Sequence, residues 1–276
     1  MANRFFNGKV RILVICIVHA MYAGVHANHK AEDSQGASGS PALSMLATSA
    51  EEGCFTYVLF WRNNDDATQR MGTNLQQATS RMKLRVNTVS VRVTDPHELE
   101  TVKRFDVERA PLPLIIAVAP NGAVTKAWFL KASREQLHEG LVSAGTAACL
   151  KAMQQKKLSL ICVYNSVTAH RDSLKQAAIG IKADRRFGAA TEVIEIDPAD
   201  VREHAFLASL QVKPNSNEAV AVLVSPAGHP IGKMTGAVTA TQLIKTIEAA
   251  MQGCCPGGTC GPEGGCPGGQ CPPQRK

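Results

Sequence analysis

Aromatic residues make up only 5% of this 276-residue chain, with two tryptophans and three tyrosines. Any core must therefore be aliphatic. Beyond the first 27 residues no apolar run reaches the length of about 20 residues that a bilayer span needs. No cluster of Lys and Arg carries interleaved aromatics. The net charge of +7 therefore reads as solubility and excludes a nucleic-acid surface. Nucleophile motifs, phosphate loops and zinc-helix motifs are also missing.

The N-terminus carries an export pattern. Arg4, Lys9 and Arg11 form a basic start, Ile12 to Ala23 is mostly apolar, and Val25-His26-Ala27 offers small residues where a signal peptidase reads. Residues 1–27 are expected to be a cleaved signal peptide, leaving no membrane span. Their removal takes three basic residues and lowers the net charge to +4. Export to the periplasm or the cell exterior allows disulfides to form and persist. Residues 28–50 are rich in Ser, Ala and Gly without a sustained period. They are expected to form a flexible leader.

What the chain does have is a repeat. Residues 112–122 read LPLIIAVAPNG, and residues 218–228, 106 positions later, read EAVAVLVSPAG. Each is an apolar strand running into a Pro-x-Gly turn. The surroundings repeat too. Phe55–Trp61 is a β-branched and aromatic run, matched by Leu158–Tyr164. Met71, Leu75, Ala78 and Met82 recur at helical spacing after a cap at Asp65 or Asp66. Leu174, Ala178 and Ile181 do so in the second copy. Asp95-Pro96 and Asp197-Pro198 each open a helix, and Leu99, Val102 and Phe105 supply the stripe of the first. A closing helix starts near Ser133, and Thr146 to Lys157 is expected to extend it and join the copies. The order is β-α-β-α-β-β-α, twice, over residues 51–150 and 151–252.

This order, with a proline before the apolar strand and Pro-x-Gly after it, resembles the thioredoxin fold. The resemblance implies an α/β protein of two tandem thioredoxin-like domains, each a central mixed sheet flanked by helices, with disordered termini. Phe60-Trp61 resembles the end of the first central strand. Pro113, after Leu112, resembles the cis-proline beside the redox site, with Pro111 its near competitor. Thioredoxins work through Cys-x-x-Cys at the start of the first helix, where the helix end favours the thiolate. Here that position reads Arg62-Asn63-Asn64-Asp65. The second copy reads Asn165-Ser-Val-Thr-Ala-His170, and Ala219 replaces its proline. Neither copy has the dithiol, so redox inactivity is expected. Asp65 and Asp66 read as helix caps and not as an acid–base pair. His97, His138, His170, His204 and His229 fall in separate elements and read as solvated side chains.

Five of the nine cysteines crowd into residues 253–276: Cys254, Cys255, Cys260, Cys266 and Cys271, among Gly and Pro. Three readings compete. The tail cross-links or tethers the protein through disulfides, to a protein partner or a cell-envelope component. It holds Cu or Zn through thiolates, as Cys255-x4-Cys260 and Cys266-x4-Cys271 lie at the edge of zinc spacing. Or it supplies the thiols of an exported thiol–disulfide oxidoreductase. Of the body cysteines, Cys162 reads as a buried hydrophobe, and Cys54 with Cys149 as a disulfide candidate. The expectation is a non-catalytic exported binding or scaffold protein. It needs no cofactor unless the tail takes a metal.

Overall fold

The chain was analysed as a computed structural model that describes residues 39–214 and 216–252. The expectations on the signal peptide, on most of the leader and on Cys254, Cys255, Cys260, Cys266 and Cys271 lie outside the described residues. The structure divides into two units at Gln154/Gln155. Among the described residues, no helix is long and apolar enough to cross a membrane.

The first unit is built on β1 (Phe55–Trp61), whose side chains are buried on both faces save at its end. A helix, α1 (Pro41–Glu51), precedes it. Then follow α2 (Asp66–Thr79), β2 (Val86–Arg92), a 3-10 turn (Pro96–Glu98), α3 (Leu99–Arg104), β3 (Leu114–Val118) and β4 (Val124–Phe129). β1 runs parallel to β2 and antiparallel to β3, and β4 lies antiparallel on β3, giving the order β2-β1-β3-β4. Strand alternation divides the core in two. Val58, Phe60, Leu114 and Ile116 pack with Ala42, Leu46 and Val102. Tyr57, Leu59, Ile115 and Ala117 pack with Met71, Leu75 and Ala78.

Three expectations change here. Residues 41–50 are helical and not part of a flexible leader. Pro41 stands at the first helical position, where its missing N–H costs nothing. Ala42 and Leu46 bury one stripe. The N-terminal end is capped from a distance. The buried Glu98 carboxylate accepts the Ala42 N–H at 3.1 Å and the Thr101 hydroxyl at 2.9 Å, and Ser40 Oγ donates to it as well. A carboxylate there meets the positive end of the helix. The period of residues 28–50 is masked in sequence by the leader's composition, and the capping group lies 56 positions away.

The closing helix also differs. Ser133 and Gln136 form a capping box, but α4 (Arg134–Leu137) continues only as a 3-10 turn (His138–Gly140), after which Leu141 is extended. A new helix, α5 (Ala144–Gln154), starts where the Ser143 hydroxyl accepts the Thr146 N–H at 3.2 Å. It packs on the first unit, with Ala147 against Phe55, Ala119 and Ala123 and the Gln154 side chain bonded to the N–H and C=O of Val124, so it closes that unit. Leu99, read as part of an apolar stripe, is 46% exposed, whereas Val102 and Phe105 are buried.

The second unit contains β5 (Leu158–Val163), α6 (Arg171–Ala183), β6 (Thr191–Ile196), a 3-10 turn (Val201–Glu203), α7 (His204–Ser209), β7 (Val220–Val224), β8 (Pro230–Thr235) and α8 (Ala240–Gln252). Its sheet order is β6-β5-β7-β8, with the same directions as the first. Leu160, Cys162, Ala221 and Leu223 pack with Leu174, Ala178, Ile181, Leu243 and Ile247. Both units are thus thioredoxin-like, a mixed four-stranded sheet flanked by helices.

Candidate functional site

β3 begins beside the end of β1, with Leu114 opposite Phe60. This register brings Pro113 and the loop of residues 62–65 to one end of the sheet. Trp61 ends β1. Its ring lies under the Arg92 guanidinium at 5.6 Å, and its Nε1 donates to Ser90 Oγ at 2.9 Å. Arg62 reaches across to the Glu108 carbonyl at 3.2 Å.

The rest of the loop is tied to the first turns of α2. Asp65 is the N-cap, and its carboxylate accepts the Thr68 N–H at 2.9 Å. That bond, with the Thr68 side chain next, holds the Asp65 carboxyl below the usual carboxylate range. Thr68 Oγ1 donates to the Asn63 carbonyl at 2.9 Å, and Gln69 Nε2 to the Asn64 carbonyl at 3.3 Å. A helix end that would stabilise a thiolate is here closed by the chain's own carboxylate. The position one helical turn on, where a second thiol would stand, is Thr68. Sequence reading placed the lost dithiol within residues 62–65. Counted from Asp65 at the N-cap, a Cys-x-x-Cys spacing runs to Thr68.

Across from this loop the Leu112–Pro113 peptide bond is cis, and Pro113 is buried. Pro113 accepts at its carbonyl from Leu130 N at 2.7 Å. The N–H and C=O of Leu112, by contrast, take no hydrogen bond among the described residues, and Pro111 beside it is exposed. A backbone segment with an unused donor and acceptor at a sheet end can pair with another extended chain.

In the second unit the matching aromatic is Tyr164, with Lys175 Nζ 5.3 Å from its ring centroid. Its hydroxyl is buried without a hydrogen-bond partner among the described residues. Burial first, then Glu195, holds that hydroxyl well above its ordinary range. The loop beyond it differs from its counterpart. Ala169 forms an isolated parallel bridge with Glu218. Ala169 N donates to the Asn217 carbonyl at 2.8 Å, and Ala219 N to the Ala169 carbonyl at 2.9 Å. His170 then turns the chain into α6 with φ of 62°.

The three described cysteines, Cys54, Cys149 and Cys162, are buried and no disulfide joins any of them. The disulfide considered for Cys54 and Cys149 is therefore absent. Burial, with the Glu195 carboxylate beside it, pushes the Cys162 thiol up to about 12. Such a group stays protonated at neutral pH, the state opposite to the thiolate that thiol exchange uses. Among the described residues, no group of three or more His, Cys, Asp or Glu side chains is placed to hold a metal.

These two sheets define a tandem thioredoxin-like protein whose strand order and register establish the fold. No protein-family model and no curated protein matches the chain. Among solved structures it is similar to a disulphide isomerase from Xylella fastidiosa Temecula1, with 18% identity, a TM-score of 0.30, and coverage of 41% of this chain and 95% of that one. It is also similar to the first two thioredoxin domains of Saccharomyces cerevisiae Eps1p, with 9% identity, a TM-score of 0.27, and coverage of 80% and 99%. A third is the zinc-bound form of human ERp44, with 11% identity and a TM-score of 0.31, where the match covers 75% of this chain and 58% of that one.

Proposed function

We propose that the protein is an exported, non-catalytic binding module whose first domain takes an extended segment of a partner polypeptide along Leu112. The observation that carries this reading is the unused N–H and C=O of Leu112, beside a helix start that Asp65 has closed. Backbone pairing supplies the affinity, and the rim of Trp61, Arg92 and Arg62 supplies contacts to alternate side chains of the guest. The absence of cysteine at both helix starts supports binding over thiol exchange.

Substitution Leu112→Pro removes the donor. It is expected to weaken binding of a labelled, alkylated insulin B chain, a generic extended polypeptide, about tenfold, the worth of one well-made hydrogen bond. Fluorescence anisotropy reads the loss, with circular dichroism as the control for folding. Unchanged affinity in a folded variant removes the reading.

In this proposal Cys254, Cys255, Cys260, Cys266 and Cys271 link the protein to a partner or to the cell envelope through disulfides. Intact mass of the exported protein, with and without alkylation and reduction, tests that part. Tail cysteines that are oxidised or joined to another chain support the tether. Five free tail thiols under oxidising conditions rule it out and turn attention to metal titration.

A further inference from the structure

We propose that Leu130 sets the specificity of the docking edge in the first domain, by selecting extended segments that carry a large apolar side chain. This rests on the reading of Leu112 as the residue that pairs with a guest backbone. Leu130 directly follows β4, and its N–H donates to the Pro113 carbonyl at 2.7 Å. That bond fixes it at the end of the sheet where Leu112 lies.

The backbone of Leu130 is strained. Its φ is 64°, and Lys131 N donates across it to the Phe129 carbonyl at 2.7 Å. A three-residue turn with positive φ at its centre is the rare and strained form. For a bulky residue such a φ is an outlier, because the Cβ crowds the following carbonyl. The side chain is 56% exposed, so core packing does not hold leucine there.

The second domain shows how the same turn is built without strain. Leu114 pairs with Phe129 in the first sheet, and Val220 with Thr235 in the second. Carried one residue on, this register makes Gly236 the counterpart of Leu130. Gly236 N donates to the Ala219 carbonyl at 2.9 Å, which repeats the bond from Leu130 to Pro113, and its φ is 88°. Glycine enters this region without steric cost. What leucine adds at this position is therefore its side chain.

That side chain leaves the backbone at the docking edge. A Cβ at Gly236 would stand 3.8 Å from the Glu218 side chain, and Glu218 is the counterpart of Leu112. The shared register sets the Leu130 side chain beside Leu112 in the same way. Strain that persists at a binding position points to a use for the residue that bears it. Backbone pairing at Leu112 is blind to the guest's sequence, and Leu130 supplies the preference. An apolar guest side chain that covers Leu130 removes leucine surface from water, whereas a polar one does not. The guest class is thus an extended polypeptide with large apolar residues, of the kind an unfolded chain exposes.

Two labelled probes test this on the full chain by fluorescence anisotropy: alkylated insulin B chain, and a copy of it with every large apolar residue replaced by Ser or Thr. The wild type is expected to bind the first about tenfold more tightly than the second. Leu130→Gly should weaken the first about tenfold and leave the second unchanged. Its urea midpoint should hold or rise, since glycine relieves the turn. Leu130→Asn, which also enters the left-handed region readily, should lose the same preference without the added freedom of glycine. Leu112→Pro should weaken both probes by one factor and keep the preference.

A wild type without preference overturns the assignment, as does a preference that survives in both Leu130 variants while Leu112→Pro weakens both probes. In the latter case the docking edge stands. Midpoints that fall in both Leu130 variants mark a residue that serves the turn, and they also overturn it. If Leu112→Pro changes neither affinity, the docking reading itself fails and the role of Leu130 falls with it.

Discussion

The double substitution Asp65→Cys/Thr68→Cys is expected to give the first domain the dithiol that its helix start lacks and with it disulfide reductase activity. The argument starts from the helix end. Asp65 already sits at the N-cap of α2 and accepts the Thr68 N–H. A thiol at that position meets the same N–H groups and the positive end of the same helix. Its pKa should fall from about 8.5 toward about 7, which raises the thiolate at neutral pH from a few per cent to about half. A thiol at position 68 stands three residues on, where side chains in one helical turn are about 5–6 Å apart at Cβ. That spacing lets the pair close into a disulfide with modest adjustment. Loss of the Asp cap should cost about 1 kcal/mol, small enough for the fold to survive.

The measurement is turbidimetric insulin reduction with dithiothreitol as the terminal reductant. Both the parent and the double variant should carry Ser at Cys254, Cys255, Cys260, Cys266 and Cys271, so that the tail contributes no thiol. The parent should match the uncatalysed rate, and the double variant should exceed it about tenfold or more, by its gain in thiolate. A parent that turns over without its tail thiols defeats the non-catalytic reading. Restoring only the tail cysteines to the parent isolates the oxidoreductase alternative, which requires that they alone bring activity.

How much of this was legible in the sequence follows from how local each signal is. Phe55–Trp61 and Leu158–Val163 are buried central strands, and a short run of apolar and aromatic residues suffices to mark such an element. The repeated Pro-x-Gly turns fixed the hairpins. α1 was missed because its cap is Glu98, contributed by a distant turn, and its apolar stripe is short. The break between α4 and α5 was missed because both halves have helical composition. It is Leu141 in an extended conformation that ends one and lets Ser143 begin the next. At the candidate site, the missing cysteines are visible in any reading of residues 62–65. The pairing of Ala169 with Glu218 is not, since it joins backbone atoms 49 positions apart and no side-chain pattern encodes it. Its one trace in the sequence is Ala219 in the place of Pro113. That looked like the loss of a feature and acquires a role only when the donor it restores is seen to be used.

Gly188 presents the opposite case, a residue without any sequence signal whose replacement should be among the most damaging in the second domain. It lies buried just beyond α6, in a turn that wraps the helix end. Gly188 N donates to the Asp184 carbonyl at 2.8 Å, and Lys182 Nζ caps the Gly188 and Thr191 carbonyls, both at 3.0 Å. Asp184 Oδ1 takes the Arg186 and Phe187 N–H groups, which sets Phe187 into the core. A Cβ at Gly188 would stand 2.2 Å from the Lys182 carbonyl oxygen and 2.8 Å from that of Asp184. Both are backbone atoms, so no rotamer change relieves the contact. Gly188→Ala must open the turn, losing some of these bonds and loosening Phe187, for an expected loss of about 3 kcal/mol. Gly232→Ala is the control. Its Cβ would meet Thr246 Cγ2 at 2.5 Å, a side-chain methyl on α8 that moves by a χ1 change costing only the exposed Thr246 Oγ1 bond to the Gln242 carbonyl, and its loss should stay at about 1 kcal/mol. Urea denaturation of both variants should show a large fall in midpoint for the first and a small one for the second. Equal midpoints would mean that the turn at Gly188 yields as readily as a methyl group, contrary to the close backbone packing described here.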